Sequence, residues 1–282
     1  ALIADLRDIL ANDWRVRDII KTEMLEIKRK FADARRTDIL PAEEDILLED
    51  LIERHECVIT LTHAGYIKRT PATDYRTQGR GGKGSKGSDS RNEDFIEHLM
   101  VATNHNYMLF FTDAGRCFWL RVYEIPEGSR TSKGRALQNI INIPKEEKVK
   151  AYIKVKNLKD EDYLNNNFII MCTKKGTIKK TSLEAYSRPR VNGINAININ
   201  EGDQLLEASL TTGNSEIVMA LKSGRAIRFN ESTVRPMGRT ASGVRGIDVG
   251  DGKVVDMDIS CSDHEILVVT SNGYGKKTPI EE

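Results

Sequence analysis

No apolar run in the 282-residue chain is long enough to span a membrane, and its first residues include Asp5, Arg7 and Asp8 where a signal peptide would be hydrophobic. This predicts a soluble, cytoplasmic protein. Cysteine is sparse: Cys57, Cys117, Cys172 and Cys261 stand far apart, without a Cys-x-x-Cys pair, which excludes a disulfide scaffold and predicts free thiols in a reducing compartment. The five histidines, His55, His63, His98, His105 and His264, show no ligand spacing, so no metal site is expected. No Ser, His and Asp constellation points to a hydrolase, and catalytic residues are expected to be absent. Aromatic residues make up 6% of the chain and few lie among the cations, which argues against stacking of single-stranded bases.

A net excess of either charge is also lacking, since 43 Lys/Arg against 42 Asp/Glu leave a formal net +1, but the charges are unevenly placed. Residues 1–64 hold 10 Lys/Arg against 15 Asp/Glu, a balance of −5, and the remainder holds 33 against 27, a balance of +6. Any anionic partner therefore belongs to the second part, and the placement of its cations must carry the reading.

Residues 1–36 read as a helical segment. Leu2, Leu6, Ile9 and Leu10 recur at three-to-four spacing, Asn12 and Asp13 offer a cap, and Val16, Ile19, Ile20, Leu25, Ile27 and Phe31 continue the apolar stripe. Residues 37–56 form an acidic linker or arm opened by Pro41, which blocks helix continuation.

From residue 57 to 282 the chain repeats. Five apolar strands run into tight turns at Gly65, Gly115, Gly176, Gly224 and Gly273, spaced by 50, 61, 48 and 49 residues. A hairpin glycine at this period predicts a mainly β protein built of propeller-like blades, each a small sheet buried against its neighbours. A second glycine keeps the same beat: Gly84, Gly134, Gly193 and Gly243 follow the hairpin glycines by 19, 19, 17 and 19 residues. Each is followed by another strand, at Leu99, Val149, Leu205 and Val254, so the unit is a sheet of about four strands.

The first of these loops is distinctive. Gln78, Gly79, Arg80, Gly81, Gly82, Lys83 and Gly84 lead into Ser85 and Lys86 with no apolar side chain among them. Glycines let backbone N–H groups face an anion while Arg80, Lys83 and Lys86 supply charge. Neither lysine fits the spacing of a nucleotide-binding P-loop, whereas a plain Gly/Ser linker remains a competing reading of the composition.

Cations also keep register on the strand leaving each hairpin. The fourth position after the glycine holds Arg69, Trp119, Lys180, Arg228 and Lys277. The third holds Lys68, Lys179 and Lys276 in odd blades, and Phe118 and Ile227 in even ones, where Arg116 and Arg225 stand two residues earlier. Further cations surround the second loops: Arg130, Lys133, Arg135, Arg188, Arg190, Arg239 and Arg245. Lysine-guarded strand edges would explain any single blade. The recurrence predicts a continuous basic rim for the backbone of duplex DNA. Bending 20–30 base pairs by 40–90° costs roughly 1–6 kcal/mol, so phosphate contacts must recur along the curve. A propeller that scaffolds protein partners is the reading from another class; it explains the repeats but not the register.

The chain resembles the C-terminal domain family of the DNA gyrase A protein over essentially its whole length. The family's Gln-Arg-Arg-Gly-Gly-Lys-Gly box appears at Gln78 to Gly84 with Gly79 in place of the first arginine, and Gly65 to Arg69, Gly243 to Ile247 and Asn272 to Thr278 add support. The resemblance implies a six-bladed β-pinwheel with strands exchanged between blades, of which four and the start of a fifth are present, with the C-terminal end truncated. It further implies that duplex DNA wraps around the rim so that an ATP-dependent type II topoisomerase introduces negative supercoils. The implied assembly is an A2B2 heterotetramer, formed with a second copy of the gyrase A chain and with the gyrase B subunit. ATP and Mg2+ are then held by the breakage-reunion core together with the B subunit, with no cofactor in this fragment. No tyrosine here matches the family's breakage motif, so the fragment itself is expected to be noncatalytic. Residues 1–36 resemble the end of the breakage-reunion region. The equivalent domain of topoisomerase IV is the near alternative, and the retained Arg80 to Gly84 run argues against it.

Overall fold

The computed structural model describes residues 2–33, 37, 48–75, 79–82, 84, 94–260 and 265–280. The chain divides into two units, residues 1–51 and 52–282. The acidic arm read as residues 37–56 is thus shared between them, and its residues 38–47 lie outside the described part.

In the first unit the three-to-four apolar spacing forms α1 (Leu2–Ala11) and α2 (Asp13–Phe31). Asn12 occupies the N-cap of α2 as expected, but its side chain turns back, donating to the Asp8 carbonyl and carboxylate (3.0 and 2.8 Å) instead of receiving an N–H. Arg15 reaches the same corner, pairing with Asp5 and Asp8 at 3.0 and 2.6 Å. Neither helix buries a residue. Among the described residues no helix is long and apolar enough to cross a membrane.

The second unit is a succession of antiparallel hairpins. Its first repeat contains β1 (Glu56–Thr62), β2 (Tyr66–Pro71) and β3 (Ile96–Thr103). The second contains β4 (Tyr107–Thr112), β5 (Arg116–Arg121), a two-residue strand β6 (Arg135–Ala136) and β7 (Val149–Val155). After a short helix α3 (Glu161–Asn165) the third has β8 (Phe168–Thr173), β9 (Thr177–Ser182), β10 (Ile194–Asn195) and β11 (Leu205–Thr211). The fourth has β12 (Glu216–Leu221), β13 (Ala226–Asn230), β14 (Val244–Arg245) and β15 (Val254–Ser260), and a hairpin of β16 (Glu265–Val269) and β17 (Gly275–Pro279) follows.

The sheets do not follow the repeats. Their strand orders are β3-β1-β2-β6, β10-β5-β4-β7, β11-β8-β9-β14, β13-β12-β15 and β16-β17. Each two-residue strand leaves its own repeat and completes the sheet before it: β6 pairs with Tyr66 and Ile67, β10 with Arg116 and Cys117, β14 with Thr177 and Ile178. The glycine just before each of these strands, Gly134, Gly193 or Gly243, makes this crossing possible. Gly134 has φ +85°, and a Cβ on it would stand 2.6 Å from the Ile67 carbonyl oxygen, so only glycine passes this close to the neighbouring strand.

Strands buried on both faces explain why the sequence shows apolar runs and not alternation. Along β4, Met108 and Phe110 pack toward the first sheet with Ile59, Leu61 and Phe118, while Leu109 and Phe111 pack toward the third with Ile169, Met171 and Tyr186. A third layer joins Ile170 and Cys172 to Ile217, Met219 and Met257. Cys57, Cys117 and Cys172 are buried free thiols, each pushed up by burial. Cys261 lies outside the described residues. The chain enters the first sheet under the buried Asn104, whose amide donates to the Glu53 carbonyl (2.6 Å) and whose oxygen accepts from the His55 N–H (3.2 Å).

Candidate nucleic-acid interface

Three of the in-register strand cations turn into the protein and not onto the rim that the sequence predicts. Lys68, Lys179 and Lys180 are 1%, 0% and 4% exposed. Lys68 Nζ donates to the carbonyls of Ser129, Arg130 and Ser132 (3.1, 2.6 and 2.7 Å). Lys179 Nζ donates to those of Ala196 and Arg239 (both 2.6 Å), and burial together with Arg239 lowers it to about 8. Lys180 pairs with the fully buried Glu231 at 3.0 Å. A buried ammonium needs such partners: the loop of the following repeat supplies them all for Lys68 and one of two for Lys179, and the Glu231 carboxylate serves Lys180. These three are therefore corrected from DNA contacts to internal ties.

Other strand cations are engaged but reach solvent. Arg69 donates to the Ile125 carbonyl and pairs with Glu127 (2.8 and 2.9 Å). Arg116 pairs with Glu147 at 3.3 Å, donates to the Asn192 carbonyl and lies over the Phe118 ring. Arg228 pairs with Glu216 and donates to the Ile280 carbonyl, and Lys277 pairs with Glu265. Arg225 and Lys276 are exposed.

The loops hold the accessible charge. Arg80, Arg135, Arg188, Arg190 and Arg245 are exposed, Arg130 and Arg239 half-buried, and Lys133 lies 3.8 Å above the Tyr66 ring centroid. Gln78, Lys83 and Lys86 fall outside the described residues. What remains of the glycine-rich loop folds as a β-turn, closed by the Gly82 N–H on the Gly79 carbonyl (3.1 Å), with Gly81 at φ +79°. Arg80 is its first corner residue. The same turn recurs: Ser132 N–H closes on the Ser129 carbonyl (3.0 Å) with Arg130 at the corner, and Ala241 closes on Gly238 (3.1 Å) with Arg239 there. In these three loops the turn ends two residues before the second glycine. The third repeat, whose loop is two residues shorter, closes Gly193 itself on Arg190 (2.9 Å) and places Val191 at the corner.

This arrangement accounts for the odd and even blades seen in the sequence. Odd-blade Lys68 and Lys179 bind the carbonyls of Arg130 and Arg239, the corner residues of even-blade loops, and so hold those corners in place. In the even blade Phe118 takes the lysine's position, and the third repeat's loop packs on its ring at Gly193. The corner arginines were legible as a set: Arg80, Arg130 and Arg239 each stand 15 residues after the hairpin glycine and four before the second glycine, a register that the reading of the strand cations passed over.

A separate cavity of about 410 Å3 lies between the first two sheets, lined by His63, Glu97, His98, Glu147, Lys148 and Tyr152 among others. Acid and base are mixed there, unlike the arginine-bearing turns. Burial, then the neighbouring Glu97 and Glu207, push the Tyr152 phenol up to about 12.

Consecutive sheets completed by strands from the next repeat, with basic turns along their edges, define a β-pinwheel of the propeller class. The family described as "DNA gyrase C-terminal domain, beta-propeller" matches residues 58–103, 106–165, 167–212, 216–261 and 264–282, and the chain belongs to it. It is 44% identical over 284 residues to the DNA gyrase A protein of Staphylococcus epidermidis (strain ATCC 12228 / FDA PCI 1200), covering 99% of this chain and 31% of that protein. The corresponding protein of Salmonella typhimurium (strain LT2) is 44% identical over 269 residues, covering 95% and 30%. The chain thus spans about 31% of the length of the first of these relatives and 30% of the second. Among solved structures it is similar to a C-terminal domain of DNA topoisomerase IV, with TM-score 0.67, 26% identity and coverage of 82% of this chain and 69% of that one. A DNA gyrase A C-terminal domain gives 0.63, 24%, 80% and 72%, a likeness of fold.

Proposed function

We propose that this chain is a noncatalytic DNA-wrapping unit that binds the backbone of duplex DNA along its arginine-bearing loops and bends the duplex. The carrying observation is the recurrence of an arginine at the corner of the same turn, at Arg80, Arg130 and Arg239, with the latter two held from beneath by buried lysines. Exposed Arg135, Arg188, Arg190 and Arg245 extend the basic fringe. Cations that repeat with the blade can follow a curved duplex phosphate by phosphate, reading no sequence. Glycines at 79, 81, 82 and 84 allow the backbone of the first loop close to a phosphate, with Gln78, Lys83 and Lys86 completing that contact.

In the parent gyrase A protein, wrapping presents a second duplex segment for passage. The assembly is an A2B2 heterotetramer in which the B subunit binds ATP and, with the breakage-reunion core, Mg2+. Its reaction is ATP-dependent introduction of negative supercoils in the bacterial cytoplasm. The test is plasmid topology with the full-length assembly carrying Arg80→Ala and Lys83→Ala together. Relaxation of supercoiled DNA should persist while introduction of negative supercoils is lost; undiminished supercoiling would remove the glycine-rich loop from the mechanism.

A further inference from the structure

The third repeat departs from the first, second and fourth at the corner of its turn. Where Arg80, Arg130 and Arg239 stand at turn corners, it carries Val191, which is 85% exposed. Its neighbours Arg188, Pro189 and Arg190 are exposed too, and among the described residues neither guanidinium has a partner. The root of the loop is fixed: Arg116 donates to the Asn192 carbonyl, Asn142 to the Asn192 side chain (3.2 Å), and Gly193 lies against the Phe118 ring. An anchored turn therefore carries two apolar residues, Pro189 and Val191, alternating with two free positive charges. Nothing in the fold needs Val191, since its side chain packs on no core.

Building on the wrapping function, we propose that Val191, with Pro189 beside it, is a wedge that enters the minor groove and partly unstacks a base step, while Arg188 and Arg190 hold the flanking phosphates. Apolar side chains set among cations kink duplexes in this way, and pyrimidine–purine steps yield most readily. The other loops track the backbone through arginine. The third concentrates part of the bend in one kink, which favours wrapped segments having a TA or CA step at that place.

The test uses the full-length protein in its complete assembly, with a duplex carrying 2-aminopurine at every TA step, so that the register of the wrap does not matter. Wrapping is followed in parallel by hydroxyl-radical protection. The unmodified protein should raise 2-aminopurine fluorescence, and Val191→Asn should abolish the rise with the protected length unchanged. Arg188→Ala with Arg190→Ala should lower the slope of log affinity against log salt by about 2. Protection without any fluorescence rise would overturn the wedge and leave wrapping intact, as would a rise that survives Val191→Asn. Absence of protection in the unmodified protein would overturn the wrapping function and the wedge with it.

Discussion

The ammonium of Lys68 donates to the carbonyl oxygen of Arg130 across 2.6 Å, joining the second strand of one blade to the loop corner of the next. Lys68→Met should leave the carbonyls of Ser129, Arg130 and Ser132 without this donor, at about 1–3 kcal/mol for a buried group left unsatisfied. Denaturant unfolding should show that loss. The salt slope of DNA binding should stay unchanged, because Lys68 never faces a phosphate; a fall of about 1 in the slope would return it to the interface.

Lys180 and Glu231 form another buried tie, two sheets further on. Glu231 also accepts from the Thr211 hydroxyl and the Ser215 N–H, both at 2.7 Å. Burial works against its ionisation, but these donors and Lys180 outweigh it and hold the carboxyl below its usual 4.5. Glu231→Gln should destabilise by about 3–5 kcal/mol, the range for breaking a buried pair from one side. In the parent protein this contribution is complete above about pH 4.5 and is lost as pH falls through the lower folded-state value, so acid unfolding should expose it.

The repeat was legible because hairpin glycines and apolar runs are local, and the blades fall where Gly65, Gly115, Gly176 and Gly224 place them. The cation register was visible too, but not its direction. A lysine among apolar neighbours reads as an edge or a binding residue unless its partner is known, and the corner carbonyls that Lys68 and Lys179 bind, those of Arg130 and Arg239, lie 62 and 60 residues away. Strand exchange was unreadable from periodicity because β6, β10 and β14 are two residues long, too short for a hydrophobic pattern. That part came only from the resemblance.

Glu207 supplies a pH dependence of the opposite sign. Burial first, and then Asp256 and Asp258, push it up to about 7 despite a hydrogen bond from the Ala208 N–H. The folded chain keeps this proton between about pH 4.5 and 7 where the unfolded chain releases it, so its contribution to stability declines across that window. Glu207→Gln should raise stability at pH 8 by roughly 1–3 kcal/mol and have little effect at pH 4, measured by thermal unfolding at both values.

Gly134 and Gly84 occupy matching places with unequal surroundings. Alanine at Gly134 meets the Ile67 carbonyl oxygen at 2.6 Å as well as a positive φ, whereas at Gly84, φ +75°, nothing lies within 4 Å. Gly134→Ala should destabilise by more than about 2 kcal/mol, and Gly84→Ala by about 1 kcal/mol from backbone strain alone. Calorimetry of the two variants side by side checks the difference.

The two-residue strands also set an order of events during synthesis. β2 emerges with Tyr66 to Pro71, yet its edge partner arrives only with Arg135 and Ala136; β5 waits for Ile194, and β9 for Val244. At roughly 5–20 residues per second the first sheet stands unfinished for on the order of 4–14 s while the chain leaves the ribosome. The second, third and fourth repeats each close one edge of the sheet before them as they are made, so completion of those edges advances from the N-terminus like a zip, and of these the edge left open to other chains is the one most recently made.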